Sequence, residues 1–230
     1  LYGPDRPGAF IPMLASQSVP VRYSGDALPD RPREFVYIGT HQRMRQLEVV
    51  LAGAVHAIER GVDARLTLIG GDAGDCARLR AVPGVADLEA RDRVCFTPPL
   101  SRAEVLRRLP RHHVGLSLIP PDEMYRESSP TKLAEYLGAG LAVLASRGIP
   151  MQETFVEESG AGELVDFDPA AIAEGMARLA GESAARHQRR RDAALSYASS
   201  HLCYGRYTED LLVWTAPVTA RARAPIDSGK

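Results

Sequence analysis

Glu127 and Glu135 flank the run Ser128-Ser129-Pro130-Thr131-Lys132-Leu133-Ala134, with seven residues between them. Ser129 followed by Pro130 predicts a helix start, because the hydroxyl can take up an orphan amide and proline presets the first helical φ. One carboxylate then stands in a loop and the other one turn inside a helix. The free amides and positive dipole end between them favour an anion such as a diphosphate, and Lys132 in the first turn adds charge. Carboxylates accept strong charge-assisted hydrogen bonds from hydroxyls, so a sugar on one side and a ribose on the other would suit the pair. The same spacing also fits a plainer arrangement: Glu127 solvated in a loop, Ser129 only a cap, and Glu135 on a surface helix.

The elements that must position these residues follow from apolar periodicity. Phe35–Ile38, Leu66–Ile69, Val94–Phe96, Val114–Ile119 and Leu141–Leu144 read as short buried strands, and Glu163–Asp166 as a sixth. Between them, Leu47, Val50, Leu51, Ala54, Val55 and Ile58 form one helical stripe. Further helices are predicted over 74–81, from the Ser101/Glu104 capping box to Leu109, from Ser129-Pro130 to Gly138, and from Asp168-Pro169 onward. A last one spans 183–214 with a break near Ser199-Ser200. His112-His113 is expected in a polar loop. Strands alternating with helices require crossover connections, which make the sheet parallel: the expected fold is α/β, doubly wound and Rossmann-like, with about six strands and helices on both faces. Ligands of such sheets lie beyond the carboxyl ends of the strands, so the segments to watch are 39–45, 70–72, 97–100, 120–131 and 146–150.

The chain has 230 residues, 28 Lys+Arg against 29 Asp+Glu, and 45% hydrophobic positions. A net charge of −1 gives no bulk attraction for nucleic acid. The longest nearly apolar stretch, Leu137–Ala145, is far shorter than the ~20 residues that cross a bilayer. Three cysteines, Cys76, Cys95 and Cys203, without CxxC spacing, argue against a disulfide framework or a thiolate metal site and fit a reducing, cytoplasmic setting. Asp166-Phe167-Asp168 has a metal-binding form, but Asp168 before a proline is better explained as a helix cap. Adjacent His112 and His113 diverge and lack a third ligand. Residues 1–33 are proline-rich and read as a linker, or as the remnant of an absent N-terminal domain, with Ala9-Phe10-Ile11 able to pair in a sheet; residues 216–230 read as a flexible tail. A start at Leu1 points to a piece of something longer. The arginine runs 189–191 and 107–111 could touch anionic lipid or form solvated helix faces.

The stretch Glu127–Ala145, with Ser-Pro-x-Lys-x-x-Glu-Tyr and then Gly-Ala-Gly-Leu-Ala-Val-Leu-Ala, resembles the nucleotide-sugar motif of GT-B-fold retaining glycosyltransferases, glycosyl transferase group 1. The resemblance covers about Glu34–Trp214 and corresponds to that family's C-terminal, donor-binding domain, here 34–215. It implies that Glu127 contacts the donor hexose at the reacting centre, that Glu135 holds the ribose, and that Ser128, Ser129 and Thr131 face the diphosphate. The family also carries a glycine after its first strand, usually followed by Arg, and a Lys-Gly at the next helix start; both cations grip the diphosphate. Gly39 matches and Arg45 stands at the lysine, whereas Thr40 replaces the arginine and Gln46 the glycine. Arg43 is the candidate for the missing charge. Gly70-Gly71 and Phe96-Thr97 resemble the strand ends that approach the nucleobase, which makes Gly71 and Thr97 donor-binding candidates. The implied activity is transfer of a hexose from a UDP- or GDP-sugar, without metal or other cofactor, to a saccharide or lipid-linked acceptor. An acceptor lobe in a further N-terminal domain, polysaccharide or glycolipid assembly, and a cytoplasmic or inner-membrane-peripheral location complete the implication. An inactive nucleotide-sugar binding module, favoured by Thr40, and a sugar-nucleotide epimerase of the same fold are the alternatives.

Overall fold

The computed structural model describes residues 33–202 apart from Ser129. The expected Ala9–Ile11 strand, Cys203, the tail and the last part of the 183–214 helix lie outside the described residues. Six strands form one parallel sheet: β1 Arg33–Ile38, β2 Ala64–Ile69, β3 Val94–Thr97, β4 Val114–Ser117, β5 Ala142–Ser146 and β6 Gly162–Val165, in the order β3-β2-β1-β4-β5-β6. The doubly wound expectation holds. Chain direction across the sheet reverses between β1 and β4, which pair through Phe35↔Val114 and Val36↔Gly115.

Alternation along β1 explains why both faces are covered. Phe35 and Tyr37 enter one apolar cluster with Leu47, Leu51, Leu66, Leu68 and Ile172, while Val36 and Ile38 enter a second with Leu133, Leu137, Val143 and Phe155. Strands buried on both sides read as continuous apolar runs. The first face carries α1 Leu47–Glu59, α2 Ala73–Arg80, α3 Val85–Ala90 and α8 Pro169–Ala180; the second carries α4 Arg102–Arg108, α6 Thr131–Gly138, α7 Pro150–Ser159 and α9 Ala184–His201. A four-residue helix, α5 Glu123–Arg126, precedes α6.

Several local expectations are met and several corrected. Ser101 and Glu104 make the full capping box, and Asp168 accepts from the amides of Ala170 and Ala171 at 2.9 and 3.0 Å, as its capping role requires. Arg33 belongs to β1 rather than to a linker; it is buried and donates to the Glu182 carbonyl at 2.8 Å. His112 and His113 are buried, not in a polar loop: His112 Nδ1 donates to the Arg108 carbonyl and His113 Nδ1 accepts the Glu34 amide. The last helix runs unbroken through Ser199 and Ser200, because the Ser199 hydroxyl is satisfied inside the helix by the Ser196 carbonyl. Helices α3, α5 and α7 were not foreseen.

Candidate functional site

The reversal between β1 and β4 opens a crevice at the carboxyl ends of the strands, where doubly wound sheets hold ligands. A cavity of about 780 Å³ occupies it. It is lined by the exit of β1 through Thr40, by Ile69 and Gly70 at the end of β2, by Pro99, Leu100, Arg102 and Val105, and by Tyr125, Ser128 and the first turns of α6. Gly70 is obligatory there: its φ is +116°, and a Cβ would sit 2.6 Å from the Gly39 carbonyl oxygen.

The β1–α1 loop is held from below. Arg78 on α2 donates to the His41 carbonyl and pairs with Glu48 and Asp75, and the Tyr37 hydroxyl donates to the Thr40 carbonyl at 3.3 Å. Burial pushes that hydroxyl up to about 12, so it stays protonated. Gln46, at the family's glycine position, has φ 48° and ψ 41°, the left-handed conformation, and turns the chain into α1.

Beyond this loop, two cations enter the cavity. Arg45 lies 5.2 Å from the centre of the Tyr125 ring, and Lys132 Nζ lies 4.2 Å from the centre of the Tyr37 ring. Among the described residues no carboxylate pairs with either. Burial first, and the Arg45 charge second, bring Lys132 down to about 7 from its usual 10.5. Lys132 belongs to the first turn of α6, whose leading amides have no intrahelical acceptor. The cap is Pro130, extended at φ −74° and ψ 106° and making no side-chain hydrogen bond. The structure thus corrects the expectation of Pro130 inside the helix, and Ser129 lies outside the described residues. One turn on, Glu135 lines the cavity; its Oε1 accepts from Arg102 Nε at 3.2 Å and pairs ionically with Nη2 at 3.1 Å.

Of the predicted site residues, Gly39, Thr40, Arg45, Ser128, Thr131, Lys132 and Glu135 line this one cavity. Arg43, Gly71, Thr97 and Glu127 do not. Arg43 is exposed on the outer side of the 3₁₀ turn Arg43–Arg45. Gly71 turns inward onto His41, and the Thr97 carbonyl is taken by the Gly70 amide at 3.1 Å. Glu127 caps the end of α5 and is exposed. Ser128 lines the wall, but its amide and hydroxyl both donate to the Tyr125 carbonyl, at 2.9 and 2.7 Å, so neither donor faces the cavity. Sequence reasoning missed Tyr37, Tyr125 and Arg102. Arg102 had a signal, since it follows the Ser101 cap at the carboxyl end of β3.

The family model described as glycosyl transferases group 1 matches residues 32–182. The chain belongs to that family. None of the curated proteins compared is a significant match. Among solved structures, this member of the family is similar to sucrose-phosphate synthase from Thermosynechococcus elongatus, with a TM-score of 0.65 at 22% identity over 85% of this chain and 47% of that one. WaaG, a glycosyltransferase involved in lipopolysaccharide biosynthesis, gives 0.62 at 16% over 83% and 49%. The C-terminal domain of LpcC from Francisella tularensis gives 0.61 at 12% over 75% and 87%. At these identities the likeness is one of fold. The chain spans about half the length of the first two. Among the described residues no helix is long and apolar enough to cross a membrane, and no group of three His, Cys, Asp or Glu could hold a metal ion.

Proposed function

We propose that this chain is the donor-binding half of a retaining hexosyltransferase that takes a nucleoside-diphosphate sugar, UDP- or GDP-linked. One observation carries the reading: two carboxylate-free cations, Arg45 and Lys132, meet the open start of α6 and the Glu135 carboxylate in one cavity at the β1/β4 reversal. The diphosphate lies between the cations and the Thr131 and Lys132 amides, the ribose against Glu135, and the base towards Pro99–Val105. Breaking the glycosidic bond leaves negative charge on the departing diphosphate, and groups already aimed at that charge stabilise it as it develops. The acceptor hydroxyl attacks from the leaving-group face and gives its proton to the diphosphate. The hexose then projects past Tyr125 and Ser128 towards the exposed turn that carries Glu127, which orients it and supports positive character at the ring. Two protein cations take the part a divalent ion could play, so a chelator leaves turnover unchanged.

The acceptor, a saccharide or lipid-linked sugar, is gripped by a further N-terminal lobe of the same protein. Cytoplasmic assembly of a cell-surface polysaccharide or glycolipid is the proposed setting, with peripheral contact at the inner membrane face. WaaG is described as involved in lipopolysaccharide biosynthesis, and a pneumococcal O-GlcNAc transferase similar in fold was crystallised with UDP and GlcNAc; a nucleoside diphosphate and a sugar on that fold support the reading.

A thermal-shift panel of UDP-, GDP- and ADP-sugars tests it, since ligand that binds only the folded chain raises its melting temperature. A rise with one nucleotide class is expected; a flat panel contradicts the proposal. Glu127→Ala should abolish transfer while sparing nucleotide affinity, and Glu135→Ala should weaken nucleotide binding; unchanged turnover in either variant refutes its assignment. Thr40, lining the cavity where the family has arginine, favours a second reading as a binding module without transfer activity. Binding without product, in the presence of the acceptor lobe, would decide for it.

A further inference from the structure

Arg102 opens α4, directly after the Ser101 cap and inside the capping box that Ser101 makes with Glu104, so its backbone is fixed where it lines the cavity. Its Nε donates to Oε1 of Glu135, and its Nη2 forms an ion pair with the same oxygen. Oε2 of Glu135 and Nη1 of Arg102 make no hydrogen bond with any described residue. The pair is lopsided in exposure: the Glu135 side chain is 13% exposed and that of Arg102 is 60% exposed. An ion pair so open to water adds little to stability. It does hold Oε1 of the carboxylate, leaving Oε2 of this cavity-lining residue without a partner among the described residues. The neighbouring wall is apolar, formed by Pro99, Leu100 and Val105, a surface suited to the flat face of a nucleobase.

Resting on the nucleotide-sugar reading above, we propose that Arg102 is the specificity-determining residue of this site. It positions Glu135 so that Oε2 accepts the ribose hydroxyls, and its free Nη1 donates to the edge of the base. A guanidinium has donors and no acceptor. It therefore favours bases that present carbonyl acceptors, uracil and guanine, over adenine, which has ring-nitrogen acceptors but no carbonyl and sets an amino donor beside them.

Calorimetric titration of UDP, GDP and ADP into the whole chain tests this with wild type, Arg102→Gln, Glu135→Gln and the double variant. Wild type should bind UDP or GDP at least tenfold more tightly than ADP, roughly the worth of one charge-assisted hydrogen bond. Arg102→Gln should weaken the preferred nucleotide about tenfold, bring its affinity ratio over ADP towards one, and leave the melting temperature unchanged. The double variant should lose less than the two single losses combined, because one residue acts through the other. Equal wild-type affinity for all three nucleotides, a base preference untouched in Arg102→Gln, or fully additive losses would overturn the inference while leaving the donor site standing. Wild type that binds no nucleotide overturns the donor site itself, and this inference with it.

Discussion

At the residue scale, two side chains carry an energetic cost that the site explains. Gln46 holds a left-handed backbone, which costs a residue with a Cβ roughly 1–2 kcal/mol, partly offset in glycine by a freer unfolded chain. Gln46→Gly should therefore raise stability by about 0.5–1 kcal/mol in a denaturant titration; a loss would mean that the 3.3 Å contact from Gln46 Nε2 to Asp122 outweighs the relief. Lys132 is the second. In the unfolded chain it keeps its proton up to about its usual 10.5, in the folded chain only to about 7. Between those values the unfolded state binds more protons, so this group's contribution to stability rises with pH across the window and is lost as pH falls through 7. An anion in the cavity reverses the preference, because it favours the ammonium form. At pH 8, UDP binding should take up a proton at Lys132, seen as an observed enthalpy that differs between HEPES and Tris buffers. Lys132→Met should remove the difference; a buffer-independent enthalpy in wild type would contradict the assignment.

Among the elements, α6 does most to shape the site, through Tyr136 on its buried side. The Tyr136 hydroxyl accepts the Ile38 amide at 2.9 Å and donates to the Leu116 carbonyl at 3.4 Å, spanning β1 and β4 where their direction diverges. Gly115 makes room for the ring: a Cβ there would lie 2.3 Å from it. Tyr136→Phe leaves a buried amide without its partner and should cost about 1–3 kcal/mol in chemical denaturation. A change below ~0.5 kcal/mol would mean that the two strand ends part without that link.

All six strands, and α1, α2, α4, α6, α8 and α9, were legible in the sequence, because each shows a buried run or an apolar stripe, several with a polar cap. Others were hidden for physical reasons. Helix α3 is six residues opened by Gly84 at φ +86°, with no polar cap, and α5 is a single turn. Helix α7 did carry a signal, Pro150 at its start and Gly160 at its left-handed end, but its ten residues show only a weak apolar stripe. In the site, the residues on the α6 turn and the β1 exit were readable from helix-start chemistry and from the family motif. The position of Arg102 after the Ser101 cap was readable too, but its pairing with Glu135 was not, since that spans a 33-residue separation that only the sheet order closes.

At the scale of the whole molecule, the sheet order β3-β2-β1-β4-β5-β6 is what turns scattered residues into a site. β1 sends its loop to one side and β4 to the other, so the carboxyl ends of neighbouring strands separate and a hollow remains between Arg45 and Lys132. Tyr37, Ile38 and Ile69 of the two sheet-face clusters line that hollow, as do Ile119 and Tyr125 of a third, but Arg45 and Lys132 belong to none of these clusters, so replacing either cation should leave folding intact. The most direct test is a calorimetric titration of UDP-glucose and GDP-mannose into wild type and Arg45→Ala at low and moderate salt. The account predicts that wild type binds one of these sugar nucleotides, that Arg45→Ala weakens it at least tenfold with an unchanged melting temperature, and that added salt narrows the gap. Equal affinity of wild type and Arg45→Ala, or no binding by wild type, would contradict a diphosphate seat at this strand reversal.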